Sequence, residues 1–396
     1  MGGVSMEWKE DVLGNVLEVK YGKDHKKLAD GQYPVYGSGG LMRYVDSKLY
    51  DGPSILIPRK GTLNNIMFVE SPFWTVDTMF WSIINTDKVD PKFLFYSICK
   101  RDFASMNVGS AVPSMTVNIL NDIQISYPKN IEDQRRIASI LSSLDRKIEL
   151  NNKINADLEE MAQAIFKNWF VDFEPFKDGK FVDSELGMIP EGWKVSQIAD
   201  IPHILETGKR PKGGAVEKGI PSVGAEHVKG MCAYDYSKTK YINCEFAAKL
   251  KTGKINGYEL MIYKDGGKPG YFIPNFSIFG EGYPFENCYL NEHVFKLDFD
   301  GNKEFNIFCY FFFKTEQIMS YFNAQGAKAA IPGINKKDVE NIYIFSPDNE
   351  SVIKFGEFAY PLFKQMLKNA IENRTLSTLR DTLLPRLMSG ELEVPE

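Results

Sequence analysis

The sequence predicts an α+β protein in which two duplicated globular blocks are joined and spaced by two long helices. Three observations predict this architecture: each block is repeated, a heptad pattern follows each block, and the blocks alternate short apolar runs with turn residues. The chain of 396 residues is also longer than a single core usually supports. The expected boundaries are 1–130 for the first block, 131–185 for the first helix and its linker, 186–348 for the second block and 349–396 for the second helix.

The repeat is visible at both ends of each block. The opening WKEDVLGNVLEVKYGK returns as WKVSQIADIPHILETGK from Trp193, so that Gly22-Lys23 matches Gly208-Lys209. Further along, GSAVPSMTVNILNDIQISYP returns as GAKAAIPGINKKDVENIYIFSP, which places Pro113 opposite Pro332. Two copies of one unit are expected to be related by a pseudo-twofold axis.

The interior of each block is expected to be rich in strands. Short apolar or β-branched runs are separated by Gly, Pro and Asp, which is typical of strands and turns. These runs are ILIP from Ile55, IMFV from Ile66, FWSII from Phe80, LMIY from Leu260 and HVFKLDF from His293. The glycine-rich segments GSGG (37–40) and DGGKPG (265–270) are expected to be hairpin or bulge loops.

The segments after the blocks carry a heptad pattern, which predicts a coiled-coil seam. In the first helix the seam consists of Ile137, Leu144, Asn151, Leu158 and Ile165. In the second it consists of Phe355, Leu362, Asn369, Leu376 and Leu383, with Phe358 and Leu379 continuing it at the other heptad position. The alternative is that each helix packs only on its own block.

A pseudo-twofold axis perpendicular to the helices makes them antiparallel and brings their midpoints together. Both midpoints are asparagine, Asn151 and Asn369, and a polar residue within an apolar seam can fix the register. Two carboxamides can also hydrogen-bond to each other. The alternative is that both side chains turn towards solvent. Pro385, within the apolar segment near the C-terminus, is expected to mark where the second helix leaves the seam.

Composition and charge exclude several classes of protein. Hydrophobic content of 43% and charged content of 25% are typical of a globular protein. The N-terminus has no signal-peptide pattern and no long uncharged apolar stretch occurs, so a cytoplasmic protein without membrane contact is expected. Five cysteines without a CxxC pair and four histidines predict neither a disulfide framework nor a metal site. The acidic excess behind the net charge of −5 lies mostly in the helical segments. The net charge therefore does not indicate whether the partner is a nucleic acid.

Three segments resemble a known family. They are DQRRIASILSSLDRKIELNNKINADLEEMAQAIFKNWFVDFEP (133–175), the linker GMIPEGW (187–193) and the ending LLPRLMSGEL (383–392). They are similar to the DNA-specificity subunit of type I restriction-modification enzymes, and the resemblance covers essentially the whole chain in the order block, helix, block, helix.

The resemblance implies that each block is a target-recognition domain that reads one half of a split site in double-stranded DNA. It implies that methyltransferase subunits and a restriction subunit with motor and nuclease activity assemble on this chain. S-adenosylmethionine, ATP and Mg are then expected in those partners, whereas this chain has no cofactor, no bound metal and no catalytic residue.

The candidate DNA-contacting residues are polar or basic side chains on the expected loops, because contacts to phosphates and base edges require such groups. In the first block they are Ser38, Arg43, Arg59, Lys60, Thr62, Ser110 and Ser114. In the second they are Lys209, Arg210, Lys212, Lys264, Lys268 and Lys328, the first three belonging to the dense basic cluster GKRPK. For each of them the alternative is an ordinary solvated side chain.

Three other functions are alternatives to DNA recognition. A DNA adenine methyltransferase would need a glycine loop opening a helix, but Tyr283 and Pro284 directly follow the nearest candidate, FGEG (279–282), and no DPPY or NPPF tetrad occurs. A nuclease would need a lysine where Val352 stands after the acids of PDNE (347–350). A coiled-coil adaptor unrelated to DNA would show no salt-sensitive DNA binding.

Overall fold

The structure, a computed structural model, describes residues 6–107, 113–266, 270–328 and 331–394. The chain divides into two compact units. Unit 1 is formed by residues 1–148 and 375–396, and unit 2 by residues 149–374. The strands and helices confirm the predicted α+β class.

Unit 1 is built mainly from antiparallel strands. Its strands are β1 (Trp8–Val12), β2 (Leu17–Tyr21), β3 (Tyr33–Gly37), β4 (Gly40–Val45), β5 (Ser54–Pro58), β6 (Met67–Val69), β7 (Trp74–Thr75), β8 (Met79–Ile84) and β9 (Gln124–Pro128). They form sheets in the orders β2-β8-β5-β6, β4-β3-β7 and β1-β9, with only the β3–β7 pairing parallel among them. The helices are α1 (Pro91–Ile98), α2 (Val117–Asn121), the start of α3 (Ile131–Phe170) and the end of a C-terminal helix (Glu350–Met388).

The helices of unit 1 begin where the sequence provides capping residues. Asp90 accepts a hydrogen bond from the Phe93 N–H at 2.9 Å, and Pro91 occupies the first turn of α1. Strand β5 is buried along its whole length, as its continuous apolar run predicts. The core of unit 1 also receives Ile137 from α3 and Leu387 from the C-terminal helix.

The C-terminal helix does not end at Pro385, the residue at which it was expected to leave the seam. The helix continues to Met388, and the residues on either side of the proline, Leu384 and Leu387, are only 6% and 3% exposed. Pro385 itself is exposed, so its ring and its missing N–H lie on the solvent side while the apolar face stays packed. Gly390, at φ +73°, then ends the segment in a left-handed conformation.

Unit 2 repeats this plan with additions. Its strands are β10 (Phe181–Ser184), β11 (Gly187–Pro190), β12 (Val195–Gln197), β13 (Ile204–Thr207), β14 (Ile220–Val223), β15 (Gly230–Met231), β16 (Lys240–Ile242), β17 (Leu260–Tyr263), β18 (Phe276–Ile278), β19 (Tyr289–Leu290), β20 (Val294–Asp298) and β21 (Tyr343–Phe345). Its helices are the rest of α3, α4 (Cys244–Ala248), α5 (Lys303–Phe313), α6 (Glu316–Gly326), α7 (Lys336–Glu340) and most of the C-terminal helix, α8. The sheets run β13-β20-β17-β18-β15, β16-β14-β19, β12-β21 and β10-β11.

Aromatic side chains dominate the core of unit 2. From Phe305 to Phe313 every residue of α5 is buried. Phe166 and Phe170 of α3 meet Phe308 of α5 and Phe355 of α8, with ring centroids 5.0 to 5.7 Å apart for the closest pairs. Such contacts bury large apolar areas, so the long helices are integral to the core of this unit.

The ten predicted seam residues are all buried or half-buried. Ile137, Asn151, Phe355 and Asn369 are buried, and Leu144, Leu158, Ile165, Leu362, Leu376 and Leu383 are half-buried. The additional position Leu379 is 44% exposed. On α8 the buried residues Ala359, Phe363, Met366 and Ala370 stand one position after the predicted pattern, because α8 follows the 3.6-residue period of a core-packed helix.

Within unit 2, α3 and α8 run antiparallel with polar residues at their contact. The Asn151 amide donates to Asn373 Oδ1 at 2.9 Å, and the Asn369 amide donates to Asn155 Oδ1 at 2.8 Å. Along this contact the residue numbers increase on α3 and decrease on α8, which shows that the two helices run in opposite directions. The expected pairing of the two midpoints is thus displaced by one helical turn, and each midpoint asparagine binds the asparagine four residues from the other.

Candidate nucleic-acid interface

The loop that follows β5 in unit 1 is held by the segment that precedes α2. Gly61 donates its N–H to the carbonyl of Pro113 at 3.3 Å, and Met115 donates to the carbonyl of Arg59 at 2.9 Å. Lys60 and Ser114 face each other in an isolated β-bridge between these two bonds. Gly61 has φ +89°, a conformation that favours glycine. Three predicted DNA-contacting residues, Arg59, Lys60 and Ser114, are therefore brought together.

Unit 2 contains the same arrangement after β17. Gly266 donates its N–H to the carbonyl of Pro332 at 2.9 Å, and Ile334 donates to the carbonyl of Lys264 at 2.8 Å. Gly266 also has a positive φ, +133°. We call this repeated arrangement the loop clamp: residues 59–61 with 113–115 in unit 1, and 264–266 with 332–334 in unit 2. It gives the matching prolines of the sequence repeat a structural role.

A second repeated feature is the loop after β2 (residues 22–28), which we call the basic loop, and its counterpart after β13 (residues 208–212). A Cβ atom on Gly22 would lie 2.0 Å from the Val76 carbonyl oxygen, and one on Gly208 would lie 1.6 Å from that of Leu290. Only glycine fits at either position, so both loops start from the same close backbone approach. Lysines follow in both copies.

The basic loop of unit 1 was missed by the sequence reasoning. Its lysines, Lys23, Lys26 and Lys27, are exposed, and they form no ion pair in the part of the chain that the structure describes. The signal was present in the match of Gly22-Lys23 to Gly208-Lys209, because the second copy opens the GKRPK cluster. Free ammonium groups on a surface loop can contact phosphates.

The other candidates in unit 1 differ in whether their side chains already contact other parts of the protein. Ser38 lies in the turn between β3 and β4, where its carbonyl accepts a hydrogen bond from the Asn65 amide at 2.8 Å. Thr62 is exposed. Arg43 donates to the Leu28 carbonyl at 2.7 Å, which makes it a residue that holds the basic loop rather than a free cation. The guanidinium of Arg59 lies over the Tyr21 ring at 5.7 Å, and Ser110 lies outside the described residues.

In unit 2 the GKRPK cluster contains exposed basic side chains. Lys209 and Lys212 are exposed without an ion pair among the described residues, and Arg210 lies 3.9 Å from the Glu292 carboxylate. Lys328 is exposed and donates to the Gln325 side chain at 2.8 Å. Lys268 lies outside the described residues.

Lys264 belongs to a compact charged group on the clamp of unit 2. Its ammonium donates to Asp265 Oδ2 at 2.7 Å and to the Glu292 carbonyl at 3.1 Å. His293 Nδ1 also contacts Asp265. Burial acts to raise the pKa of Asp265, but the hydrogen bonds from Lys264 and His293 outweigh it and the pKa lies below its usual value. Lys264 is therefore partly neutralised, unlike the lysines of the GKRPK cluster.

The described residues also bear on metal binding, methyl transfer and membrane insertion. No three His, Cys, Asp or Glu side chains among them are grouped as a metal site. Residues 279–288, which follow β18 and contain the FGEG segment, form no helix, so they lack the helix N-terminus of a methyl-donor loop. Nor does any helix in the described ranges carry the long apolar stretch that crossing a bilayer requires.

Comparisons with known proteins point to one family. The family model described as "Type I restriction modification DNA specificity domain" matches residues 6–160. The type I restriction enzyme MjaIX specificity subunit of Methanocaldococcus jannaschii is 30% identical over 94% of this chain and 86% of its own length. The HindI specificity subunit of Haemophilus influenzae is 26% identical over 82% of this chain and 83% of its own length.

A solved structure shows the same fold. The crystal structure of a type I restriction-modification S subunit from M. genitalium superposes with a TM-score of 0.59 at 15% identity, covering 100% of this chain and 98% of the other. The M. jannaschii relative is 30% identical to this chain and covers most of it, and the family model also matches its first part. The chain therefore belongs to the family of type I restriction enzyme specificity subunits.

Proposed function

We propose that this chain is the DNA-recognition subunit of a type I restriction-modification complex, and that each unit reads one half of a split site in double-stranded DNA. The observation that carries the proposal is the loop clamp, which occurs in both units, and each unit also contains a loop with exposed lysines that starts from a closely packed glycine. Phosphate contacts from such lysines position a protein on DNA, while polar groups on adjacent loops read base edges. A duplicated reader matches a target made of two half-sites.

The proposed domain limits follow the sequence repeat: residues 1–130 and 186–348 are the two readers, and residues 131–185 and 349–396 contain the spacing helices. Methyltransferase subunits and a restriction subunit assemble on this chain, and they supply the sites for S-adenosylmethionine, ATP and Mg. This chain contributes recognition and no catalytic group.

The test is methylation mapping of DNA modified by the chain together with a methyltransferase partner. The expected product is adenine methylation at a split sequence, and exchange of residues 186–348 for the corresponding block of a relative should change one half of that sequence only. The purified chain alone should transfer no methyl group. Simultaneous change of both halves would contradict one reader per half-site, and methyl transfer by the chain alone would contradict a non-catalytic subunit.

A further inference from the structure

The hairpin formed by β3 and β4 in unit 1 has an exposed apolar surface to which the proposed function assigns no role. Strand β4 is the edge of its sheet, and its residues Leu41, Met42 and Tyr44 are 52%, 56% and 50% exposed. The register of the hairpin shifts at this place, since Tyr36 faces Leu41 while Val35 faces Arg43. Met42 is the extra residue of this bulge, so two consecutive apolar side chains reach solvent.

This hairpin is continuous with the candidate DNA interface of unit 1. Its turn is bound to the neighbouring loop by the hydrogen bond from Asn65 to the Ser38 carbonyl, and Ser38 Oγ lies 2.9 Å from where a Cβ on Gly61 would stand. The other side of the hairpin is bound to the basic loop by the hydrogen bond from Arg43 to the Leu28 carbonyl. The hairpin that carries the apolar side chains is therefore bound both to the basic loop and to the loop that contains the clamp residue Gly61.

The internal repeat indicates what covers this surface. In unit 2 the strand corresponding to β4 is β16, since each pairs antiparallel with the strand that also pairs with a short parallel strand. There Lys240 is ion-paired with Glu226 at 3.0 Å, Tyr241 is half-buried and Ile242 is 3% exposed, so the apolar surface is not repeated. A partner bound by both units would need the surface twice, whereas the two DNA half-sites can differ.

We infer that Leu41, Met42 and Tyr44 enter the major groove of the half-site read by unit 1 and contact the 5-methyl group of a thymine. The major groove admits a two-stranded β-ribbon, and the thymine methyl is the apolar group that its base pairs present there. The surrounding lysines supply the positive charge that DNA requires. This inference rests on the proposed function and adds a chemical requirement: the half-site must contain an A·T pair whose methyl group is buried on binding.

The test uses the chain in complex with its methyltransferase partner and duplexes in which single thymines are replaced by uracil, which lacks only the methyl group. Binding is measured by fluorescence anisotropy. At one or more thymines of the half-site read by unit 1, uracil should weaken binding about fourfold, the effect of exposing one methyl group. In the double variant Leu41→Ala/Met42→Ala the same replacement should have no further effect.

Controls separate this inference from its alternatives. Met188→Ala, at an equally exposed methionine of unit 2, should leave the uracil effect unchanged. A half-site without an A·T pair, or a uracil effect that persists in the double variant, would overturn the inference. Weaker assembly of the double variant with the methyltransferase in the absence of DNA would identify the hairpin as a protein-docking surface instead. If the proposed function itself were wrong, no methylation at a split site would occur at all. That result is distinguishable from a failure of this inference, in which methylation still occurs.

Discussion

Asn369 donates its side-chain amide to the carboxamide oxygen of Asn155 at 2.8 Å, and this bond has a counterpart between Asn151 and Asn373 at 2.9 Å. Asn155 and Asn373 are matched by the sequence repeat, as are Asn151 and Asn369. The two bonds are therefore the same interaction made twice, once in each direction between α3 and α8. Both lie within unit 2, where Asn151 and Asn369 are buried.

Asn369→Ala is expected to destabilise unit 2. The substitution removes the hydrogen bonds that the Asn369 side chain makes with Asn155 Oδ1 and with the Gln365 amide, and each such bond contributes about 1 kcal/mol to the free energy of unfolding. Urea denaturation followed by circular dichroism measures the loss. The double variant Asn155→Leu/Asn369→Leu should recover much of it, because both partners are removed together. A double variant as unstable as Asn369→Ala would contradict this account.

Removing lysines from the basic loop should flatten the salt dependence of DNA binding. Lys26→Ala/Lys27→Ala removes two free ammonium groups, and each lost phosphate contact lowers the slope of log K against log salt by about 0.9. The measurement is a binding titration of the complex at several salt concentrations. Lys92→Ala is the matched control, since Lys92 is already paired with Glu70 at 3.0 Å and should leave the slope unchanged. Equal slopes for the loop variant and the wild type would place the loop outside the interface.

Lys296→Met should strongly destabilise unit 2. Lys296 is 5% exposed and is paired with Glu206 at 2.9 Å and with the buried Glu259 at 3.8 Å. Removing the cation leaves two carboxylates without their compensating charge, and breaking a buried pair in this way costs about 3–5 kcal/mol. Chemical denaturation measures the change, with Lys218→Met at an exposed position as the control. A loss below about 1 kcal/mol would show that the carboxylates are effectively solvated.

Asp11 should make unit 1 sensitive to acid. Its carboxylate accepts hydrogen bonds from Asn15 at 2.6 Å, from the Val12 N–H and from Tyr127, and it pairs with Lys9 at 2.9 Å. The hydrogen bond from Asn15 is the largest of the causes that hold the pKa of Asp11 well below its usual range. A lowered folded-state pKa contributes stability that is present above the unfolded pKa, near 4, and is lost as the pH falls through the folded value.

Asp11→Asn should therefore reduce the urea midpoint at pH 7 and leave a shallower decline below about pH 4. Asp87→Asn serves as the control, because the Asp87 side chain is exposed and forms no ion pair among the described residues. Parallel acid profiles for Asp11→Asn and the wild type would contradict the assigned role of the carboxylate.

Much of the architecture was determined by local sequence patterns. The apolar runs at Ile55, Phe80 and Leu260 became β5, β8 and β17, and the heptad segment became α3, which begins at Ile131. The sequence repeat also matched Pro113 with Pro332, but their role in the loop clamp was visible only in the structure. Periodicity, turn residues and internal repeats are properties of short stretches of chain, so they can be read without knowing which segments meet.

The tertiary structure decided which of the candidate side chains are free. In the sequence, Arg43 and Lys264 cannot be distinguished from basic residues that are free to bind DNA. In the structure Arg43 is bound to the Leu28 carbonyl and Lys264 to Asp265, whereas the Lys26 side chain is exposed. The one-turn offset between Asn151 and Asn369, and the packing that continues past Pro385, were likewise settled by contacts between segments more than 200 residues apart. Such contacts depend on side-chain fit between distant parts of the chain, which no local pattern specifies.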